Sequence, residues 1–180
     1  MSTTKQKWVI DLSHSDIEFK VKHLMVTNVK GSFKEFEASI YTTGDDFMTA
    51  EIDCWINTDS VDTGSADRDK HLKNADFFDV ENHKEITFQA NTVENIDGDG
   101  SYELWGNLMI KGITKKIKLD VEFGGIVKDP WGNEKAAFTI NGKINRKDWG
   151  LNWNAALEAG GVLVSEEVRI NCEIQLVRSS

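Results

Sequence analysis

The sequence has a single proline, two cysteines and no long apolar run. Pro130 lies in a turn-like segment, Asp129-Pro130-Trp131-Gly132, so no predicted strand is interrupted. No apolar segment approaches the roughly 20 residues that a membrane-spanning helix needs. The first residues, MSTTKQKWVIDLSHS, lack the apolar core of a secretion signal. We therefore expect a cytoplasmic protein without an integral membrane segment, or a periplasmic one if a leader has been removed.

The two cysteines, Cys54 and Cys172, each fall inside a run in which apolar and polar residues alternate. This position favours buried thiols over a disulfide. The sequence contains no CxxC pair and no cluster of cysteine with histidine, and its four histidines share no ligand spacing. We therefore predict no metal site.

Positive charge is scarce and scattered along the chain. There are 21 Lys and Arg against 30 Asp and Glu, which gives a formal net charge of −9. The basic pairs, such as Lys115-Lys116 and Arg146-Lys147, are isolated and form no tract. Nucleic acids and anionic membrane surfaces are bound through clustered basic residues, so neither is an expected partner.

Alternation of apolar and polar residues with a period of two is abundant, and it is typical of strands with one buried face. Turn signals such as Asp97-Gly98-Asp99-Gly100 separate the alternating segments, and the connections are too short for crossover helices. The pattern predicts one all-β domain over residues 1–180, with about eight antiparallel strands in a sandwich or a closed barrel. The clearest alternating segments are 17–23, 48–56, 86–90, 102–110, 117–123, 136–140 and 168–176.

Two features suggest a curved sheet with space inside it. Phe33 and Phe36 break strict alternation, and a β-bulge between them would place both rings on one face and bend the strand. Small residues on the inward face leave volume that side chains do not fill, which hints at a cavity. A fully packed barrel agrees equally well with this pattern. The small residues are Ala50, Ala90, Gly106 and Gly142.

Residues 65–78 are the only segment that the pattern predicts to be a helix. Asp67 falls in its first turn, where an acidic side chain interacts favourably with the helix dipole. Ser65 and His71, with Asp67 or Asp69, are the residue types of a nucleophilic triad, but no strand-elbow sequence surrounds Ser65 and no oxyanion hole is evident. The preferred interpretation is that Ser65 or its neighbour Thr63 caps the helix. No catalytic residue is assigned.

Trp55, Trp105 and Met109 fall on the polar faces of their strands. If those strands are neighbours, the three side chains form an exposed apolar patch, which is typical of an interaction surface. A structural barrel that binds a partner through this patch, with a filled core, is therefore one functional hypothesis. An enzyme that uses the barrel as its substrate pocket is another.

Several segments, in their order along the chain, resemble the YceI-like family of lipid- and polyisoprenoid-binding proteins, from Trp8 to Val177. The most specific part is RDKHLKNADFF, residues 68–78. The other segments are WVIDLSHSDIEFKVKHL, VKGSFKEFEASI, GNLMIKGITKKIKLDVEF, DPWGNEKAAFTINGKINRKDWGLNW and EAGGVLVSEEVRINCEI.

The resemblance implies an extended, lipocalin-like β-barrel whose apolar tunnel holds an isoprenoid or fatty-chain lipid, in a homodimer. The implied function is binding, sequestration or transport without catalysis and without a cofactor. Arg68 and His71 would be the polar groups nearest the lipid head, with Asp67 and Asp69 orienting them. The apolar residues expected to contact the lipid are Phe19, Val21, Phe33, Phe36, Ile40, Ile52, Phe77, Phe78, Phe88, Leu108, Val121, Phe138 and Ile140.

Overall fold

Eleven strands, one α-helix and three 3-10 turns make up the part of the chain that the computed structural model describes, residues 5–24, 27–95, 100–154 and 164–179. The helix, α1, is Ala66–Lys73. The 3-10 turns are Leu12–His14, Thr58–Ser60 and Arg146–Trp149. The strands are β1 (Lys5–Ile10), β2 (Asp16–His23), β3 (Thr27–Phe33), β4 (Phe36–Thr43), β5 (Asp46–Asn57), β6 (Val61–Asp62), β7 (Glu85–Asn95), β8 (Ser101–Ile110), β9 (Ile113–Lys128), β10 (Glu134–Asn145) and β11 (Glu167–Arg178).

The sheet closes on itself. Its strands follow the order β1-β4-β5-β7-β8-β9-β10-β11, and β11 pairs again with β1. The ring has eight positions, and three of them are composite, which means that two consecutive strands occupy one position. These pairs are β1 and β2, β3 and β4, and β5 and β6. Both halves of the β1/β2 position pair with β11 on one side and with the β3/β4 position on the other. The predicted closed antiparallel barrel of about eight strands is confirmed.

The composite position β3/β4 bends between Phe33 and Phe36. Both rings are buried, as the sequence predicted. The strand is interrupted rather than bulged, because the backbone N–H groups of Lys34 and Glu35 donate to the carbonyl and the hydroxyl of Ser60, at 3.1 Å and 3.0 Å. The break lets the barrel wall change direction while both rings stay inside.

The two ends of the barrel differ in what closes them. One end carries α1, the β8–β9 turn and the 3-10 turn Arg146–Trp149, and we call it the mouth. The other end carries the β4–β5 turn and the first residues of β1, and we call it the floor. The predicted hairpin loop at 97–100 lies outside the described residues except for Gly100, but its flanking strands pair antiparallel, with Asn95 opposite Tyr102.

Helix α1 is shorter than the predicted 65–78. Ser65 caps it, because its side-chain oxygen accepts a hydrogen bond from the Arg68 N–H at 3.4 Å, as preferred from the sequence. The helix ends at Lys73, where Asn74 adopts an extended conformation and its N–H donates to the His71 carbonyl. The chain continues in turns that place Phe77 in the barrel core.

Asp11, which lies between β1 and β2, forms an ion pair with β10. Its carboxylate accepts a hydrogen bond from the Lys135 ammonium at 2.8 Å and another from the Ser13 N–H at 3.1 Å. The Lys135 ammonium, with smaller contributions from Ser13 and His14, holds the pKa of the Asp11 carboxyl well below its usual range. The ionised carboxylate therefore stabilises the folded chain at neutral pH. This stabilisation is lost as the pH falls below the ordinary aspartate pKa of about 4.

Replacing Asp11 by Asn keeps a capping oxygen and removes the charge. We expect the free energy of unfolding at about pH 7 to fall by about 1–2 kcal/mol, because both partners are less than one-fifth exposed. The difference should shrink as the pH drops below about 4, and urea denaturation at several pH values measures it. The control is Glu51→Gln, which breaks the exposed Lys5–Glu51 pair of equal length. An equal loss in the control would contradict the assignment to the buried pair.

Candidate functional site

The barrel interior contains a cavity of about 640 Å³ that runs from α1 at the mouth to Phe47 near the floor. Its wall is made almost entirely of apolar side chains from the ring of strands. Inward-facing residues such as Phe19, Ile52 and Ile140 are only half-buried because they face this cavity. The barrel is therefore hollow rather than fully packed.

All the predicted site residues except Phe36 line the cavity. Phe36 is 5% exposed and belongs to the buried core around the cavity instead. Contact of the others with a lipid stays a prediction. The residues that line the cavity as predicted are Phe19, Val21, Phe33, Ile40, Ile52, Arg68, His71, Phe77, Phe78, Phe88, Leu108, Val121, Phe138 and Ile140.

Other lining residues were missed from the sequence. Some of them continue the same alternation and could have been found by extending it, such as Ile17, Leu104 and Ile174. Arg146 and Trp153 come from irregular segments near the mouth, where no periodicity marks the inward side.

The small inward residues do not create the cavity in the way the sequence suggested. The position of a Cβ on Gly106 lies 2.6 Å from the Phe88 ring, and that of a Cβ on Gly142 lies 2.5 Å from the Leu119 side chain. Neighbouring side chains therefore fill the space that these glycines leave. Ala50 does line the cavity, whereas Ala90 is buried beside it.

An aromatic cluster closes the floor. Phe47 packs against Trp8, Phe123 and Phe138, with ring centroids 5.1, 5.3 and 5.0 Å away. Trp8 is fully buried and fixed, because its Nε1–H donates to Thr42 Oγ1 at 2.9 Å and the Arg178 guanidinium lies 4.5 Å from its ring. Phe47 and Phe138 line the cavity. Its far end is thus a wall of side chains.

At the mouth, Arg68 is held by Thr63. Its Nε donates to Thr63 Oγ1 at 2.9 Å and its Nη2 donates to the Thr63 carbonyl at 3.0 Å. Thr63 in turn donates from its hydroxyl and its N–H to Asp69, at 2.6 and 2.8 Å. Asp69 therefore acts on Arg68 only through Thr63. Because Arg68 and Asp67 are exposed and also line the cavity, the cavity reaches solvent here.

His71 is held by groups other than the predicted aspartates. Its Nε2 lies 3.1 Å from Asp76 Oδ2, and its ring packs edge-on against Phe77 and Trp153 at centroid distances of 5.1 and 4.6 Å. The prediction that Asp67 orients His71 is wrong. The geometry also leaves the hypothetical triad unassembled, because Ser65 serves as the helix cap and Asp76 is the partner of His71.

A buried guanidinium lies on the cavity wall at the mouth. Arg146 is 3% exposed, and it donates hydrogen bonds to the carbonyls of Leu151, Val164 and Ser165. Burial lowers the pKa of this guanidinium, and the negative charge of Glu166 opposes the shift. The side chain ties the 3-10 turn after β10 to the segment that precedes β11.

Cys54 and Cys172 are unpaired thiols on the cavity wall, in agreement with the sequence prediction. Burial raises the pKa of each thiol to about 12. At about pH 8 the thiolate fraction is then about 1,000-fold lower than in the unfolded chain, where the pKa is near 9.

We expect iodoacetamide at about pH 8 to leave both thiols of the folded protein unmodified for hours and to label both within minutes in guanidinium chloride. Mass spectrometry counts the added groups, and Cys54→Ser and Cys172→Ser assign them. Rapid labelling of a folded single-cysteine variant would show that its thiol is accessible and ionisable, contrary to the burial described here.

The predicted apolar patch on the outer wall is not prominent. Trp55 and Met109 flank Thr87 across β5, β7 and β8, so they do share a face. Both are half-buried, and so is Trp105, whose ring lies 5.7 Å from the Lys116 ammonium. None of the three is among the exposed large apolar residues of the described chain.

A family profile, sequence relatives and solved structures all match this chain. The profile of the YceI-like domain matches residues 8–176. A UPF0312 protein of Staphylococcus epidermidis is 39% identical over 171 residues, which cover 94% of this chain and 96% of the relative. Among the described residues, no helix has the length and apolarity to span a membrane.

Solved structures share the fold. The YceI protein of Campylobacter jejuni, in a mutant form, matches with a TM-score of 0.76 and 33% identity, over 88% of this chain and 90% of the other. A polyisoprenoid binding domain from Saccharophagus degradans matches with a TM-score of 0.69 and 15% identity, over 96% and 98%. With the family profile spanning nearly the whole barrel, the chain belongs to the YceI-like family.

Proposed function

We propose that this protein binds the hydrocarbon tail of a polyisoprenoid or similar long-chain lipid in its barrel, and sequesters or carries the lipid without catalysis. The observation that carries the proposal is the apolar cavity, which is open beside α1 and closed by the aromatic cluster at the floor. The family, and the polyisoprenoid-binding description of the Saccharophagus degradans domain, support the same ligand class.

The physical basis is removal of the tail from water. Burial of each CH₂ equivalent contributes about 0.8 kcal/mol, so several isoprene units are held tightly without a specific polar contact. A cavity lined by side chains such as Leu104, Val121 and Ile140 has few polar groups that a tail would leave unpaired.

Two alternatives are less well supported. A partner-binding barrel with a filled core disagrees with the cavity, and its patch at Trp55 and Trp105 is half-buried. An enzyme needs a converging reactive group, whereas Ser65 caps α1 and His71 pairs with Asp76. If turnover of an apolar substrate were found and then lost in an Arg68→Gln, His71→Gln variant that folds normally, the enzyme hypothesis would replace ours.

The polar groups at the mouth suggest how the lipid head is held. Arg68 is exposed, lines the cavity and carries a positive charge that Thr63 positions. We expect Arg68→Gln to weaken binding of a polyprenyl phosphate about tenfold while changing binding of the uncharged polyprenol less than about twofold. Tryptophan fluorescence titration measures both affinities. Lys70→Gln, on the same helix but outside the cavity wall, is the control, and equal effects on the two lipids would contradict a head-group role.

The first experiment is organic extraction of freshly purified protein, followed by mass spectrometry of the extract. A stoichiometric long-chain lipid, with a mass that identifies its tail and head, is the expected result. An empty extract together with no uptake of added polyprenol would overturn the proposal. The homodimer that the resemblance implies is a separate prediction, which light scattering of the purified protein tests.

A further inference from the structure

A row of four basic residues crosses the outer wall of the barrel. Lys143 of β10 lies opposite Arg169 of β11, Arg169 lies opposite Lys20 of β2, and Lys20 lies opposite Lys30 of β3. Residues directly opposite each other on neighbouring strands project to the same face, and like charges in such positions repel each other. We call these four residues the cationic row.

Little nearby charge neutralises the cationic row. Arg169 is 3.4 Å from Glu167, in a pair whose side chains are both more than half exposed. Among the described residues, no carboxylate lies within ion-pair distance of Lys20, Lys30 or Lys143. In a chain with a net charge of −9, three of these four neighbouring cations are therefore unpaired within the described part of the chain.

Acidic side chains flank the cationic row on both sides along the barrel axis. One row closer to the floor, Asp120, Asn141, Asn171 and Glu18 lie opposite one another across β9, β10, β11 and β2. Asp120 and Glu18 therefore lie on the floor side of the cationic row, and Glu167 lies on its mouth side, opposite Asn145. The cationic row itself contains no acidic residue.

The wall is also open beside the cationic row. Pairing between β9 and β10 stops at Asp120 and Asn141, and a groove of about 920 Å³ lies beyond this point. Three lysines of β9, Lys115, Lys116 and Lys118, line the groove together with Lys20, Lys143 and Arg169, and so do the acidic residues Asp120 and Asp148. Lys118 is paired with Glu103 at 2.8 Å, whereas Lys116 adds a further exposed cation.

Apolar side chains are exposed at the same end of the barrel. Leu24, directly after β2, is 46% exposed, and Ile113, at the start of β9, is 38% exposed. Cations beside exposed apolar residues are the combination found where proteins lie on anionic membranes, with the charges at the lipid heads and the apolar groups below them.

We propose that the cationic row is a docking surface for an anionic lipid bilayer. Four adjacent strands space the charges over about 14 Å, which fits an extended negative surface better than a single phosphate group. Docking through this wall places the mouth of the barrel beside the bilayer. The proposal goes beyond lipid binding in the cavity and does not depend on it, because it requires only the outer wall.

The test uses the full-length protein and vesicles that contain no polyprenyl lipid, so its failure is distinct from failure of lipid uptake. Vesicles of phosphatidylcholine alone are compared with vesicles in which about one-third of the lipid is phosphatidylglycerol. Binding is measured by co-sedimentation at about 0.05 M and about 0.5 M NaCl, where the Debye length falls from about 14 Å to about 4 Å.

We expect binding to the anionic vesicles only, with loss at the higher salt concentration. The variant Lys20→Gln, Lys30→Gln, Lys143→Gln should lose affinity roughly 100-fold. Its melting temperature should be unchanged or raised, because repulsion within the row is relieved. The matched control, Lys5→Gln, Lys7→Gln, Lys128→Gln, removes the same charge at the floor end and should keep binding within about twofold of the unmodified protein.

Four results would overturn the docking surface. They are no binding to anionic vesicles at the lower salt, equal binding to neutral vesicles, an equal loss in the floor-end control, and tighter binding to a DNA duplex than to the vesicles at the same salt. The last result would assign the row to nucleic acid instead.

Discussion

Replacing Val121 by Trp is expected to abolish lipid uptake while leaving the barrel folded. Val121 is 8% exposed, lines the cavity and lies opposite Tyr102 on one side and Ile140 on the other. An indole in this position extends into the cavity and excludes part of the tail. Excluding even four CH₂ equivalents costs about 3 kcal/mol, which is a loss of affinity on the order of 100-fold.

The folded state should tolerate this substitution, since the added ring enters empty space instead of a packed core. We expect the free energy of unfolding to stay within about 1.5 kcal/mol of the unmodified protein. The control is Val127→Trp on the same strand, where the side chain is 60% exposed on the outer wall. Polyprenol titration and urea denaturation measure the two effects. Unchanged uptake in Val121→Trp would place the ligand elsewhere.

Replacing Arg146 by Met is expected to have the largest effect on stability. The substitution keeps an unbranched, mostly apolar side chain but leaves the carbonyls of Leu151 and Ser165 without their side-chain donor. The Val164 carbonyl, in contrast, still accepts from Asn154 Nδ2 at 2.7 Å. Unpaired buried acceptors cost about 1–3 kcal/mol each, and release from the desolvation of the guanidinium offsets part of the total. We expect the free energy of unfolding to fall by about 3 kcal/mol.

Two further variants separate the role of Arg146 from that of its charge. Arg146→Lys keeps the charge but cannot reach three carbonyls in a planar arrangement. Its loss in free energy of unfolding should therefore be about half of the loss in Arg146→Met. Lys147→Met removes the exposed ion pair between Lys147 and Glu166 in the same turn, and its effect should stay below about 1 kcal/mol. Urea denaturation of the three variants gives the order. Equal losses for Arg146→Met and Lys147→Met would show that the hydrogen bonds of the Arg146 guanidinium do not stabilise the fold.

Much of the fold could be predicted because alternation is a local property of the chain. The inward residues of β9 and β11, such as Val121 and Cys172, follow directly from a period of two. Strand breaks are less predictable, because they depend on distant partners. Ser60 accepts hydrogen bonds from the backbone N–H groups of Lys34 and Glu35. Neither the segment around Ser60 nor the one around Lys34 predicts these bonds on its own.

The candidate site was predictable where it is made of strands and less so at the mouth. The family resemblance placed Arg68 and His71 at the cavity, but their hydrogen-bond partners, Thr63 and Asp76, became evident only from the folded geometry. Arg146 was visible only as one of an isolated basic pair. Its burial depends on three carbonyls from later parts of the chain.

The cationic row shows why charge can be misjudged from a linear sequence. Lys20, Lys30, Lys143 and Arg169 are far apart along the chain, so no basic tract marks them. Strand register brings them side by side. An acidic chain can therefore carry a basic wall, and the sequence-based exclusion of anionic membrane surfaces does not follow once register is known.

The aromatic floor has a consequence for selectivity by length. Phe47 is the second residue of β5 and packs on Phe138, and beyond Phe138 strands β9 and β10 stay paired as far as Lys128 and Glu134. The length of lipid tail that the cavity can hold is therefore limited by one aromatic side chain, and not by the number of residues in any strand. A smaller side chain in place of Phe47 would lengthen the cavity and admit a longer lipid tail. The strand pairing that closes the barrel would stay unchanged.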